Sequence, residues 1–98
     1  MNRALINFVT VFVLTSAAWA GDEADHRLAA RLVEQGAILP LEQILRVAEP
    51  TTGGRLIDVE LENEHGHWVY ELEYLENGVV WEYTFDASSG ALLERERD

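Results

Sequence analysis

An alternation of apolar and polar side chains between Leu56 and Phe85 constrains the fold of this chain more than any other feature. Because successive side chains of a β-strand point to opposite faces of the sheet, such alternation predicts strands with one buried face. Turn signals at His65-Gly66 and Asn77-Gly78 divide the stretch. An Asn-Gly pair is typical of a two-residue hairpin turn, which needs positive φ at both residues. The sequence therefore predicts three antiparallel strands, at Leu56–Glu62, Trp68–Leu75 and Val79–Phe85.

The two turns also predict how the strands pair. The apolar and aromatic residues should face one another as Tyr74–Trp81, Leu72–Tyr83 and Tyr70–Phe85 in one hairpin, and as Leu61–Tyr70, Val59–Leu72 and Ile57–Tyr74 in the other. Both turns place these side chains on the same face of the sheet. A slip of one residue would destroy that agreement, so we expect this face to be buried.

The opposite face of the predicted sheet is acidic. Its side chains form two rows across the strands, the first being Asp58, Glu73 and Glu82 and the second being Glu60, Glu71 and Thr84. Like charges that face each other directly are destabilising, so this arrangement needs a reason. We interpret the five carboxylates as a solvated surface or as a docking face for a basic partner, with weak cation binding as a third alternative.

The first twenty residues have the features of a secretory signal peptide. Arg3 gives a short basic start, an apolar run follows, and Ala18-Trp19-Ala20 matches a small-x-small cleavage site. The run is shorter than the roughly 20 apolar residues that a membrane-spanning helix needs. We expect residues 1–20 to be removed between Ala20 and Gly21, which leaves residues 21–98 as one periplasmic or secreted domain with no membrane association.

The segment after the signal peptide is strongly acidic. It contains all 18 acidic residues and six of the seven basic ones, so its net charge is −12. Such a charge repels nucleic acid and anionic membrane surfaces, and it favours cationic partners. The chain has no Cys, so its core must form without disulfides.

Two helices are predicted before the strands. The first spans Asp22–Gln35, and Pro40 opens the second, whose apolar stripe is Leu41, Ile44, Leu45 and Ala48. After the third strand, Asp86–Gly90 is a turn cluster and Ala91–Arg95 is a short final strand whose register stays open, with frayed residues at the end. The predicted fold class is α+β, with an N-terminal helix or helix pair packed on one face of a 3–4-stranded antiparallel meander.

Two segments resemble a known family. Leu28–Leu45 looks like the helical opening of small exported PepSY-domain proteins, and Asp86–Leu93 is similar to the family's closing Asp-x-x-(Ser/Thr)-Gly-x-(Val/Leu)-(Leu/Ile) motif. With the hairpins between them, the resemblance covers roughly Ala24 to Glu94. It implies a PepSY-like fold. It also implies a module that modulates or inhibits peptidases near the cell surface, or that serves in sensing, without agreed catalytic residues.

Metal binding is the first chemistry to consider. His65 and His67 lie near Glu62 and Glu64, and imidazole and carboxylate groups are common metal ligands. The turn breaks the strand alternation between the two histidines, so we interpret them as a polar turn tip and assign no metal ligand or cofactor.

Catalysis finds little support in the sequence. Glu73 and Glu82 are paired carboxylates, but an open sheet face lacks the enclosed environment that raises one pKa for acid–base work. Ser88 and Ser89 have no evident base and suit a turn. We predict that the protein is not an enzyme.

Two function hypotheses follow. The first is an envelope binding module that regulates a peptidase or a sensor protein through its sheet face or edge. The second is an exported metal-binding or metal-sensing protein that uses the acidic face and the turn histidines. Chelator-sensitive stability would distinguish the second from the first, because a ligand that binds only the native state stabilises it.

Overall fold

The computed structural model describes residues 23–98 and contains two helices followed by four strands in this part of the chain. The elements are α1 (Glu23–Glu34), α2 (Leu41–Ala48), β1 (Arg55–Glu64), β2 (His67–Glu76), β3 (Val79–Asp86) and β4 (Leu92–Arg97). The strands pair antiparallel in chain order. This architecture confirms the predicted α+β meander with a helix pair. The predicted signal peptide and its cleavage point between Ala20 and Gly21 lie outside the described residues.

Both hairpin turns have the predicted geometry. His65 and Gly66 have φ values of 54° and 87°, and Asn77 and Gly78 have values of 51° and 80°. Positive φ at both central residues matches the right-handed twist of the strands that the turn connects. The Asn63 side chain supports the first turn, since its oxygen accepts a hydrogen bond from the Gly66 N–H at 2.9 Å. The two turns therefore set the pairing of β1 with β2 and of β2 with β3.

The predicted pairing is confirmed throughout the second hairpin and in most of the first. It is wrong at Ile57, because the register shifts between Leu56 and Asp58 and Leu56 faces Tyr74 instead. An extra residue on one strand of an antiparallel pair leaves one residue without a partner and bends that strand. The shift occurs where the chain enters β1 beside the far end of β2. A Cβ at Gly54 would overlap the backbone of Leu75 there.

The helices end and begin at residues suited to those positions. Gly36 has a φ of 75° and closes α1, with its N–H donating to the Val33 carbonyl and the next N–H donating to the Leu32 carbonyl. This pair of bonds is the Schellman arrangement, which favours glycine. Pro40 was predicted as the first helical residue. It has extended backbone instead and immediately precedes α2.

The core lies between the helices and one face of the sheet. From α2, the buried side chains of Leu41, Ile44 and Ala48 belong to one apolar cluster with the inward-facing residues of the strands, which include Val59, Tyr70, Leu72, Tyr74, Tyr83 and Phe85. Leu32 and Val33 of α1 pack against the cluster from its edge. The Tyr70 hydroxyl donates to the Leu39 carbonyl at 2.8 Å and ties the linker between the helices to the sheet. Both helices therefore cover the face that was expected to be buried.

The fourth strand is longer than predicted. It runs from Leu92 to Arg97, and the Asp98 N–H still donates to the Val80 carbonyl at 2.9 Å. The expectation that the terminal residues fray is therefore wrong. Arg95 accounts for this order, because its guanidinium carbon lies 3.7 Å from the ring centroid of Trp81. Such cation–π stacking favours a fixed position for the strand on β3.

Candidate functional site

The acidic face of the sheet brings together all five predicted docking residues. Asp58 faces Glu73, and Glu73 faces Glu82. In the neighbouring row, Glu60 faces Glu71. The helices lie against the other face of the sheet, so this face is the side that they leave uncovered. We use the name acidic face for Asp58, Glu60, Glu71, Glu73 and Glu82, together with the β4 residues described next.

Two further carboxylates belong to the acidic face. Glu96 faces Glu82 and extends the first row to four strands, and Glu94 faces Thr84 and extends the second row. Neither residue was among the predicted docking residues, because the loop before the last strand allows more than one register. The alternation of Glu and Arg through Glu94–Arg97 was the available signal, since it places both glutamates on one face of a strand.

The carboxylates that β1, β2 and β3 contribute to the acidic face are only partly exposed. Asp58, Glu60, Glu73 and Glu82 are half-buried, and Glu71 is 5% exposed. Burial disfavours the charged form of a carboxyl group, and nearby like charges disfavour it further. Packing of acidic side chains side by side on the sheet therefore changes their protonation.

Glu60 shows the largest effect. Its pKa is raised to about 8, chiefly by burial and then by a hydrogen bond with Glu62. The negative charges of Glu62, Asp58 and Glu82 act in the same direction. A hydrogen bond between two carboxyl groups requires a proton on one of them. Near neutral pH this end of the acidic face therefore carries less charge than its composition suggests.

Glu73 lies at the centre of the first row and behaves similarly. Its pKa is raised to about 7 by burial, then by a hydrogen bond with Asp98 and by the charges of Asp98, Asp58 and Glu82. The pKa of Asp58 is also raised by burial, although a hydrogen bond from the Val59 N–H at 2.9 Å opposes the rise. A cation placed over this row would lower these pKa values and restore the charges.

Three carboxylates of the sheet approach the spacing of a metal site. Oxygen atoms of Glu60, Glu62 and Glu71 all lie within 4.8 Å of one another. Carboxylate oxygens are the ligands that hard cations such as Ca²⁺ prefer. The two turn histidines are not part of this group. His67 is exposed, and its Nε2 lies 4.0 Å from an Asp86 carboxylate oxygen.

The residues considered for catalysis do not line the groove that the described residues form on the helix side of the sheet. The groove has a volume of about 530 Å³, and α1, α2 and Tyr70 line it. Glu73 and Glu82 face each other on the opposite side of the sheet. The amide and hydroxyl of Ser88 both donate to the Asp86 carboxylate at 2.8 Å, which is a turn-stabilising role.

The structure defines a small α+β domain in which a helix pair covers one face of an antiparallel sheet and the acidic face lies on the other. The chain belongs to the PepSY family: the family model described as "Peptidase propeptide and YPEB domain" matches residues 38–96, which is more than half of the chain. Domains of this family are propeptide and regulatory modules and are generally non-catalytic. No curated protein and no solved structure shows significant similarity to the chain. Neither helix of the described part is long and apolar enough to cross a membrane.

Proposed function

We propose that this protein is an exported binding module of the cell envelope that regulates a peptidase or a sensor protein by docking a basic surface of that partner on its acidic face. The family match to peptidase propeptide and regulatory domains supports the class of partner. The observation on which the proposal depends most is the row Asp58–Glu73–Glu82–Glu96, which places four carboxylates side by side across the sheet.

The physical argument concerns the free energy of this row. Each pair of facing like charges destabilises a sheet by on the order of 0.2–1 kcal/mol. A small domain without disulfides has little stability to spare. A basic partner removes the repulsion and also lowers the raised pKa values of Glu60 and Glu73. Repulsion between the carboxylates of the acidic face is therefore weaker in a complex with a basic partner than in the free protein.

Docking of this kind has an electrostatic signature. Added salt should weaken capture of the partner, because exposed charges are screened over about 8–10 Å at physiological ionic strength. Lowering the pH through 7 should weaken capture as well, since protonation of Glu73 removes a charge from the centre of the row. A partner held by apolar contacts alone would show neither dependence.

The test is a pull-down from an envelope extract combined with stability measurements on the same variants. Glu73→Gln with Glu82→Gln removes two charges from the acidic face. The matched control, Glu34→Gln with Glu49→Gln, removes two charges from exposed positions, one at the end of α1 and one just after α2. The first variant should be more stable than the wild type and should capture less partner, whereas the control should capture the wild-type amount. A Glu73/Glu82 variant that gains stability and still captures the partner fully would contradict docking and leave a solubilising surface.

A regulatory role requires a second measurement. If the captured partner is a peptidase, the added protein should change its hydrolysis of a fluorogenic casein substrate. The Glu73/Glu82 variant should shift the dose response to higher concentration. If a saturating concentration of this protein leaves the activity of the captured peptidase unchanged, the function is restricted to binding.

Metal binding is the second candidate, and the cluster of Glu60, Glu62 and Glu71 is the observation that favours it. A site of this kind predicts a saturable rise in melting temperature with Ca²⁺ that a chelator reverses. Glu62→Gln should abolish the rise, whereas Glu64→Gln at the exposed end of β1 should not. A melting temperature that is insensitive to both Ca²⁺ and chelator would eliminate this candidate.

A further inference from the structure

The β4 strand forms one edge of the sheet. The sheet order is β1-β2-β3-β4, and all six residues of β4 are exposed. Leu92 and Leu93 are 43% and 55% exposed. An edge strand presents unpaired backbone groups to solvent and serves as a template for another strand. Recognition of extended peptides by strand addition uses such edges.

The backbone groups that face outward on β4 can be assigned. Asp98 donates its N–H to Val80, so the backbone N–H at position 98 points toward β3. Orientation alternates along an antiparallel strand, so Glu96 also points its N–H inward, opposite Glu82. The N–H and carbonyl groups of Arg95 and Arg97 then point away from β3. Within residues 23–98, no strand pairs with β4 on this outer side.

The charges beside this edge select what can pair with it. Glu94 and Glu96 end the two rows of the acidic face at β4. Side chains of a fifth strand on the same face would lie directly beside them, and opposite charges in such positions stabilise the pair. A segment with Lys or Arg at every second residue meets this requirement.

A second copy of the chain fits the edge poorly. Antiparallel pairing of two β4 strands about a two-fold axis normal to the sheet places residues of the same face opposite each other. Glu94 and Glu96 of one copy would then face glutamates of the other, and like charges in facing positions are destabilising. The charge pattern therefore favours a different polypeptide over self-association.

We propose that the outer edge of β4 receives an extended segment of the partner as a fifth strand, with basic side chains at alternate positions over the acidic face. This inference rests on the proposed function and specifies how the partner is recognised. Backbone hydrogen bonds to Arg95 and Arg97 supply the pairing, and Glu94 and Glu96 supply the selectivity for basic residues.

The test uses protein expressed from the full 98-residue sequence and a synthetic nonapeptide in which Lys alternates with Val. Amide hydrogen exchange is followed by NMR. The peptide should slow exchange of the Arg95 and Arg97 amides at least tenfold and should leave the already paired Glu96 amide nearly unchanged. A nonapeptide in which Glu replaces Lys should give no protection. Protection at β1 instead of β4, or equal protection by both peptides, would overturn the proposal.

N-methylation of the peptide separates edge pairing from docking on the face. Only every second amide of an added strand points toward β4. Methylation of all Lys amides and methylation of all Val amides should therefore have unequal effects, with one set abolishing binding and the other leaving it within a few-fold. If both methylated peptides bind like the parent and Glu73→Gln with Glu82→Gln weakens them equally, edge pairing is refuted while face docking stands. If the parent peptide fails to bind, this inference is refuted, and the pull-down decides separately on the proposed function.

A backbone variant provides the complementary test. Arg97→Pro removes an outward N–H, and proline is tolerated on an edge strand whose N–H faces solvent. Arg97→Ala removes the same side chain and keeps the N–H. Affinity for the Lys–Val peptide should fall at least tenfold in Arg97→Pro and only a few-fold in Arg97→Ala. Equal losses in the two variants, or a concentration-dependent dimer with protected Arg95 and Arg97 amides in the absence of peptide, would overturn the proposal.

Discussion

The stability of this protein should increase when the pH falls from 8 to 5.5. A carboxyl group whose pKa is higher in the folded state than in the unfolded state contributes stability that is complete below the unfolded pKa. That contribution is lost as the pH rises through the folded pKa. The pKa of Glu60 is raised to about 8 and that of Glu73 to about 7, both from an ordinary value of 4.5. Their stabilising effect is therefore lost between pH 4.5 and 8.

The size of the effect follows from the same values. A shift of one pKa unit corresponds to about 1.4 kcal/mol, so the rise in the pKa of Glu73 from 4.5 to about 7 sets an upper bound of about 3.5 kcal/mol on its contribution. Glu73 is only half-buried, and screening by solvent reduces this to about 1–2 kcal/mol. Glu60 shares Asp58 and Glu82 as neighbours with Glu73, so the two contributions do not add independently. We expect a total change of about 1–3 kcal/mol.

Other titrating carboxyl groups act in a different range of pH. The pKa of Glu76 is lowered, first by a hydrogen bond from the Tyr83 hydroxyl, and the pKa of Asp86 is lowered by its bonds from Ser88. Their contributions are lost only as the pH falls through pKa values below 4.5 and 3.8. Among the carboxyl groups with shifted pKa values, those of the acidic face are therefore the ones that act above pH 5.

Urea denaturation followed by tryptophan fluorescence at pH 5.5, 7 and 8 measures the free energy of unfolding directly. Glu73→Gln should be more stable than the wild type at pH 8 by about 1 kcal/mol and should show a smaller pH dependence. Glu34→Gln, on the exposed surface of α1, should keep the wild-type pH dependence. A wild-type protein that is less stable at pH 5.5 than at pH 8 would refute the reasoning.

Three further predictions test other parts of the molecule. Leu72→Ala should destabilise by about 2–5 kcal/mol in urea denaturation, since the side chain is fully buried, whereas Leu93→Ala on the exposed edge should change stability by less than about 0.5 kcal/mol. Gly54→Ala should lower the melting temperature because its Cβ would overlap the backbone of β2. Gly53→Ala has open space around its Cβ and should be tolerated. An equal fall in melting temperature in both variants would contradict the close approach of Gly54 to β2. The intact mass of the exported protein should be that of a chain that starts at Gly21. A mass that includes residues 1–20 would contradict cleavage.

Most of the fold and five residues of the acidic face were predictable from local patterns. A two-residue turn at Asn77-Gly78 permits one pairing of the strands that it joins, and the turn at His65-Gly66 does the same for the other hairpin. Because side chains alternate between faces, a pairing error of one residue would have moved the whole apolar set to the surface. The identity of the buried face and the first acidic row followed from this periodicity.

Longer-range contacts decided the rest. The register shift before Asp58 occurs where Gly54 lies against β2, and that contact joins residues far apart in the sequence. The register of β4 depends on its pairing with β3 and on the stacking of Arg95 on Trp81, which the turn length alone does not specify. Glu94 and Glu96 joined the acidic face only through that register. The raised pKa values of the face likewise depend on burial and on neighbours from different strands. Periodicity along one strand carries no information about either, so only the tertiary structure could determine them.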